Sequence, residues 1–246
     1  MNKLIAVLFS LALFGGCGTP SGGTHSSASA KVHTELAGLY YQRAQLGIAL
    51  EEIEQAIQAD PDYAPAYGVR GLIHMELRED QEAEDDFRKG LRLDKLDSNT
   101  HHNYGWFLCQ RGRENESIPQ FMAALKNPLY GTPSLAYLNA GLCSRKAGND
   151  KDAEGFLQKA LLMQPGMPQA LSGLAELSFA NADYAAAKQY FAKLSEKNDN
   201  LTAEQLWLGV RIQRKIGDRN SEASYGMQLR KRFPDSKETQ MLLRGE

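Results

Sequence analysis

Scarcity constrains this chain first. Cysteine occurs three times in 246 residues, at positions 17, 109 and 143, so no disulfide framework carries the fold. Charge is nearly balanced, with 28 Lys and Arg against 30 Asp and Glu and a net charge of −2. That argues against nucleic acid as a partner, because a nucleic-acid binder concentrates a basic patch. The extended apolar stretch Leu4–Phe14 has eleven residues, too few to span a bilayer as a mature helix. The motifs of chemistry are missing too: no phosphate-cradling glycine loop, no metal-ligand His/Cys spacing and no serine nucleophile signature. His101 and His102 are adjacent and would point about 100° apart on a helix. The acidic stretch from Glu79 to Asp86 lacks the glycine and the spacing of a calcium loop. No cofactor and no metal are expected, and the chain is expected not to be an enzyme.

What the chain does have is a beat. Ala49, Ala83, Ser117, Ala153 and Ala187 follow one another at intervals of 34, 34, 36 and 34 residues. Ala37, Gly71, Gly105, Gly141, Ala175 and Gly209 keep the same time, at 34, 34, 36, 34 and 34. Self-similarity at this period marks a helical repeat array. The units resemble tetratricopeptide repeats, in which two antiparallel helices cross at small residues. That resemblance implies an all-α, right-handed superhelical solenoid of six helix-turn-helix repeats over residues 31–246. Small side chains at the crossing let the backbones approach, and the aromatic in the middle of each second helix (Phe87, Phe121, Phe191) fills the space between units. Pro61, Pro165 and Pro234 close units because proline ends a helix. Two irregularities interrupt the array. The connection from Lys126 to Pro133 is two residues longer than the norm, and the sixth unit reads as gaining one or two residues between its helices, since Ala223 and Pro234 run late.

The N-terminus reads as a separate segment. Lys3 precedes the apolar stretch, which ends in Leu13-Phe14-Gly15-Gly16-Cys17. This is the layout of a signal peptide, and the small residues before the cysteine resemble the lipobox of bacterial lipoproteins. The resemblance implies a leader over residues 1–16 and acylation (palmitate) at Cys17, hence a membrane partner through the lipid anchor. Gly18 is not the aspartate that often retains such proteins in the inner membrane, so the outer membrane, facing the periplasm, is the expected location. Residues 17–30, rich in Gly, Ser, Thr and Ala, read as the lipidated cysteine and a flexible tether reaching ~20 Å.

In tetratricopeptide repeats the first helices line the concave face, so their inward residues are the candidates for a protein-binding groove: Leu72, Met75, His102, Asn103, Trp106, Leu138, Asn139 and Leu142. Leu206, Trp207 and Val210 extend the set into the sixth unit. Trp106 is either a partner anchor, as tryptophan often is, or a packing residue between first helices. An Asn amide can donate and accept at once, and Asn103 and Asn139 recur one unit apart where many members of this family hold a peptide backbone. The positions at which well-known members place carboxylate-clamping lysines are Gly68 and Leu135 here, so the groove is more apolar. Tyr104 is a structural residue or supports the groove from beneath. Cys109 and Cys143 stand on neighbouring first helices, 34 residues apart; a disulfide and two buried thiols both remain open.

Local stretches go further. Asn103-Tyr104-Gly105-Trp106-Phe107-Leu108, Leu208-Gly209-Val210-Arg211 and Glu222-Ala223-Ser224-Tyr225-Gly226-Met227-Gln228-Leu229-Arg230 resemble segments of the type IV pilus biogenesis lipoproteins of the PilF/PilW pilotin family. That resemblance implies a scaffold that binds the pilus secretin, or another pilus-assembly protein, and promotes its localisation, its assembly or the stability of the pilus. A periplasmic adaptor for cell-wall synthesis or outer-membrane barrel assembly is the competing expectation.

Overall fold

The computed structural model describes residues 22–196 and 200–246. The leader and Cys17 lie outside the described residues. The helices form six antiparallel pairs and one closing helix: α1 (Gly22–Gln42) with α2 (Leu46–Ala59), α3 (Ala64–Leu77) with α4 (Asp80–Leu93), α5 (Ser98–Gln110) with α6 (Glu114–Ala124), α7 (Pro133–Lys146) with α8 (Asp150–Met163), α9 (Pro168–Ala180) with α10 (Tyr184–Glu196), α11 (Ala203–Ile216) with α12 (Arg219–Arg232), then α13 (Lys237–Arg244). Among the described residues no strand occurs. Successive first helices pack against one another, whereas each second helix packs against its own partner and the next first helix. The odd-numbered helices are therefore the inner layer of an all-α tetratricopeptide solenoid.

The beat has a steric origin. A Cβ on Gly71 would lie 2.7 Å from the Phe87 ring, and one on Gly209 would lie 2.6 Å from the Phe191 ring. On Gly141 it would lie 2.7 Å from Leu157 Cγ and 3.2 Å from the Ala153 carbonyl oxygen. Each such glycine is the seat of a large side chain from a second helix. Ala49, Ala83, Ala153 and Ala187 are fully buried at the crossings, as is Ser117. Phe87 also reaches the next unit, stacking on Tyr104 with ring centroids 5.6 Å apart and meeting Phe107 at the same distance. One ring thus joins two units.

The structure corrects three boundaries. Helix α1 starts at Gly22 and not at residue 31, so residues 22–30 are helical and not a flexible tether; Ala30 is fully buried, and its carbonyl accepts a 2.7 Å hydrogen bond from the Thr34 hydroxyl. The sixth unit has no lengthened turn. Only residues 217 and 218 separate α11 from α12, and the register shifts inside α12, where Gly226 and Leu229 are buried and Ala223 faces outward. Helix α13 carries no repeat signature. Ser236 caps it by accepting from the Thr239 amide, and Gly245 ends it in the left-handed region at φ 74°. The Thr239 hydroxyl donates to the Phe233 carbonyl at 2.7 Å, while Met241 and Leu242 cover the last core.

Candidate functional site: the concave face

At the N-terminal end α1, α3 and α5 enclose a hollow of about 400 Å³, lined among others by Thr34, Tyr41, Tyr63, Leu72, Asn99 and Asn103. Two glycines shape it. A Cβ on Gly68 would lie 2.2 Å from Thr100 Oγ1, so this glycine lets α3 and α5 close together. Thr100 is held in turn by a 2.5 Å hydrogen bond to Asp97, the N-cap of α5. Gly38 has the opposite effect. A Cβ there would meet nothing within 4 Å. It occupies the column of Leu72, Trp106 and Leu142, one repeat apart, and the side chain missing from unit one is the space of the hollow.

The chemistry of the hollow is mixed. Leu72, Val69 and the rings of Tyr41 and Tyr63 supply apolar surface, and Glu35 and Asp97 stand on its acidic edge. Burial, with Glu76 beside it, pushes the Tyr41 hydroxyl up to about 12, so it stays protonated and donates to Glu76 at 3.4 Å. Asn103 makes no side-chain hydrogen bond with any described residue. Its free amide, over an apolar floor, can hold an extended backbone.

Of the expected groove residues, Leu72 and Asn103 line this hollow. Trp106 is half-buried at the seam between the Met75–Phe87–Phe107 core and the core around the two cysteines. Leu142 is half-buried against Leu157 and its neighbours. Met75 and Leu138 are corrections: at 6% and 5% exposure they belong to the interior. An inner helix buries one face on its partner and another on the next inner helix, which leaves a narrower strip than the spacing implied. Leu206, Trp207 and Val210 are buried for the same reason, with α13 closing their end.

His102 and Asn139 are engaged with each other. Asn139 Nδ2 donates to His102 Nε2 at 3.0 Å, so the ring proton sits on Nδ1 and is donated to the Tyr130 oxygen at 2.7 Å. Burial pushes His102 down to about 4 and keeps it neutral. Tyr130 belongs to the long connection of residues 125–132 and is buried by this contact. The network fastens unit three to unit four. A second fastening is covalent: Cys109 and Cys143 form a disulfide with Cα atoms 5.9 Å apart. Tyr104 is buried, and its hydroxyl donates to Glu84 at 2.8 Å, a structural position beneath the face. Reading the inward columns missed Thr34, Tyr41 and Tyr63; the glycine at position 38, in a column otherwise filled by large residues, was the signal for them.

Tetratricopeptide-repeat family models match residues 64–95 and 145–207. The chain is 29% identical over 201 residues to the type IV pilus assembly protein PilF of Pseudomonas aeruginosa, covering 82% of this chain and 79% of that one. The structure of Pseudomonas aeruginosa PilF superposes with a TM-score of 0.84 at 26% identity, covering 90% of this chain and all of the other. The crystal structure of PilW, a widely conserved type IV pilus biogenesis factor, superposes with a TM-score of 0.79 at 35% identity, covering 87% of this chain and 98% of PilW. With glycine-seated aromatics, six helix pairs and this overlap along almost the whole length of PilW, the chain belongs to the PilF/PilW family of type IV pilus biogenesis tetratricopeptide-repeat proteins.

Proposed function

We propose that this protein is a non-catalytic scaffold that captures a segment of the pilus secretin, or of another pilus-assembly protein, in the hollow between α1, α3 and α5. In this reading Cys17 carries the acyl chains and the scaffold works at the outer membrane, facing the periplasm. Tethering at the site of assembly raises the effective concentration of the captured partner. The observation that carries the reading is the hollow itself, where an unpartnered Asn103 amide stands over apolar Leu72 in a relative of PilF and PilW. Relatives that assemble pili favour a pilus partner over the cell-wall or barrel machineries.

Gly38→Leu tests it. The new side chain enters open space and replaces a helical glycine by a better helix former, so the fold gains about 0.5–1 kcal/mol. The expected result is loss of secretin multimers and surface pili at unchanged protein level and raised Tm. Normal piliation in a Gly38→Leu/Asn103→Ala strain sinks the assignment of the hollow. Cys17→Ala, in the same strain background, should release the protein from the membrane fraction and leave its binding of the partner in solution intact.

A further inference from the structure

The column Leu39, Ile73, Phe107, Cys143, Leu177 and Arg211 runs through the inner helices at one-repeat intervals, with the 36-residue step borne by the long connection and Cys143 two residues short of the position equivalent to Cys109. Ile73, Phe107, Cys143 and Leu177 are buried core residues, at 0%, 2%, 0% and 4% exposure. The sixth unit places a guanidinium where the others place apolar side chains. Arg211 lies over the Phe179 ring at 4.8 Å and the Trp207 ring at 5.9 Å. Its Nε is buried without a hydrogen-bond partner, and none of its nitrogens forms an ion pair with a described residue. Burial pushes its pKa down from the ordinary value, and among the described residues the one carboxylate that acts on it is Glu176, which is already committed to Arg145. Arg211 as a whole is half-buried, but its Nε is an orphaned buried polar atom, and such a group in a folded protein calls for an explanation. Arg211 lines a second concave hollow of about 440 Å³ between α7, α9, α11 and α13, shared with Arg145, Lys237, Glu204 and Glu238.

We infer that this hollow receives one acidic side chain, Asp or Glu, of a protein segment lying along the concave face, with Arg211 as its anchor. A guanidinium pairs with a carboxylate through two parallel hydrogen bonds, and the flanking rings hold the fork in place. Glu176, Glu204 and Glu238 around the same hollow repel a polyanion, which selects a single carboxylate over a phosphorylated headgroup or nucleic acid. The inference rests on the reading that the concave face binds a protein segment, and it does not depend on the N-terminal hollow or on the identity of the pilus partner.

The test uses the purified full-length chain with ¹⁵N-arginine labelling and three probes: N-acetylaspartate methylamide, its asparagine counterpart, and N-acetylalanine, which carries a chain-terminal carboxylate. The expected result is a saturable shift of the Arg211 Nε–Hε resonance with the aspartate probe, at least tenfold weaker binding of the asparagine probe, and loss of the response in Arg211→Gln. Equal response to aspartate and asparagine, no response at all, or preference for N-acetylalanine overturns the assignment. Arg211→Met separates a binding role from a structural one. Methionine fills the space without the charge, so a Tm unchanged or raised supports an arginine kept for a ligand, and a Tm lowered by more than about 5 °C, the cost of losing more than 1 kcal/mol in a domain of this size, shows that it serves packing and overturns the inference. Gly38→Leu should leave the Arg211 response unchanged, so failure at one hollow is distinguishable from failure at the other.

Discussion

Reducing the Cys109–Cys143 bond should destabilise the array by an amount set by the loop it closes. The two residues are 34 apart in sequence. Chain-entropy loss for a closed loop of that length is about −12.6 cal/mol/K, which is about 3.8 kcal/mol at 25 °C. The bond joins α5 and α7 across the seam where the connection runs over eight residues, 125–132, against four at the preceding unit boundary, 94–97. Reduction leaves both sulfurs in place, so no cavity opens and the loss is nearly all loop closure. For a domain of 150–250 residues a loss of this size lowers Tm by about 8–15 °C. The assay is far-UV circular dichroism melting of the purified chain with and without reductant, with thiol titration to verify that the bond is open. Hydrogen exchange should then show loss of protection first around residues 125–132. A Tm shift under about 3 °C at full reduction refutes the reasoning, because the His102 network would then hold the seam without covalent help.

The glycine columns make a paired prediction. Gly141→Leu forces carbon against Leu157 and against the Ala153 carbonyl oxygen, which as backbone yields little, so it should lower stability by about 1–3 kcal/mol in urea unfolding. Gly155→Ala, where a Cβ would meet nothing, should instead raise it by about 0.5–1 kcal/mol. The pH dependence of His102 has a definite sign. An unfolded histidine takes a proton near 6.5, whereas folded His102 resists until about 4. Its stabilising contribution is full above pH 6.5 and falls away as the pH drops toward 4, by about 3 kcal/mol. His102→Gln should remove that part of the pH profile, and parallel profiles for the two proteins would show that the ring is not the group responsible.

The fold was legible in the sequence because its period has a steric cause. Gly71 under Phe87, Gly141 under Leu157 and Gly209 under Phe191 tolerate no larger side chain, so the spacing of small residues reports the crossings directly. The parts that escaped obey other rules. Helix α13 is specified by its caps at Ser236 and Gly245 and an amphipathic stripe, with no repeat to announce it. In α12 the crossing moved to Gly226 and Leu229, and Ala223, on the face the spacing pointed to, went outward. Residues 22–30 have the composition of a linker, yet they continue α1 far enough for Ala30 to be buried. The site was only half legible. Column position shows which helix face points inward, but not how much of that face the next helix covers, and this is why Leu72 stayed available while Met75 and Leu138 closed into the core.

The two concave hollows differ in chemistry, and the middle of the array explains how they can act together. Units three and four are joined by the disulfide, by the Tyr130–His102–Asn139 chain and by the Lys146 ammonium donating to the Cys109 carbonyl at 3.1 Å. Nearest-neighbour contacts alone let a solenoid flex at every interface. Here the interface between the halves carries extra bonds, and it is also the one with the longer connection. A segment that engaged Asn103 at one end and Arg211 at the other would otherwise pay for ordering the hinge between them, as any binding that rigidifies its host must. Fixing that interface beforehand removes the cost and sets the distance between an apolar anchor point and a cationic one. Reduction of the disulfide should therefore weaken a long segment spanning both hollows more than a short one confined to either, a difference that titration of the same chain in oxidised and reduced form would measure. Equal weakening of long and short segments would mean that the two hollows bind independently.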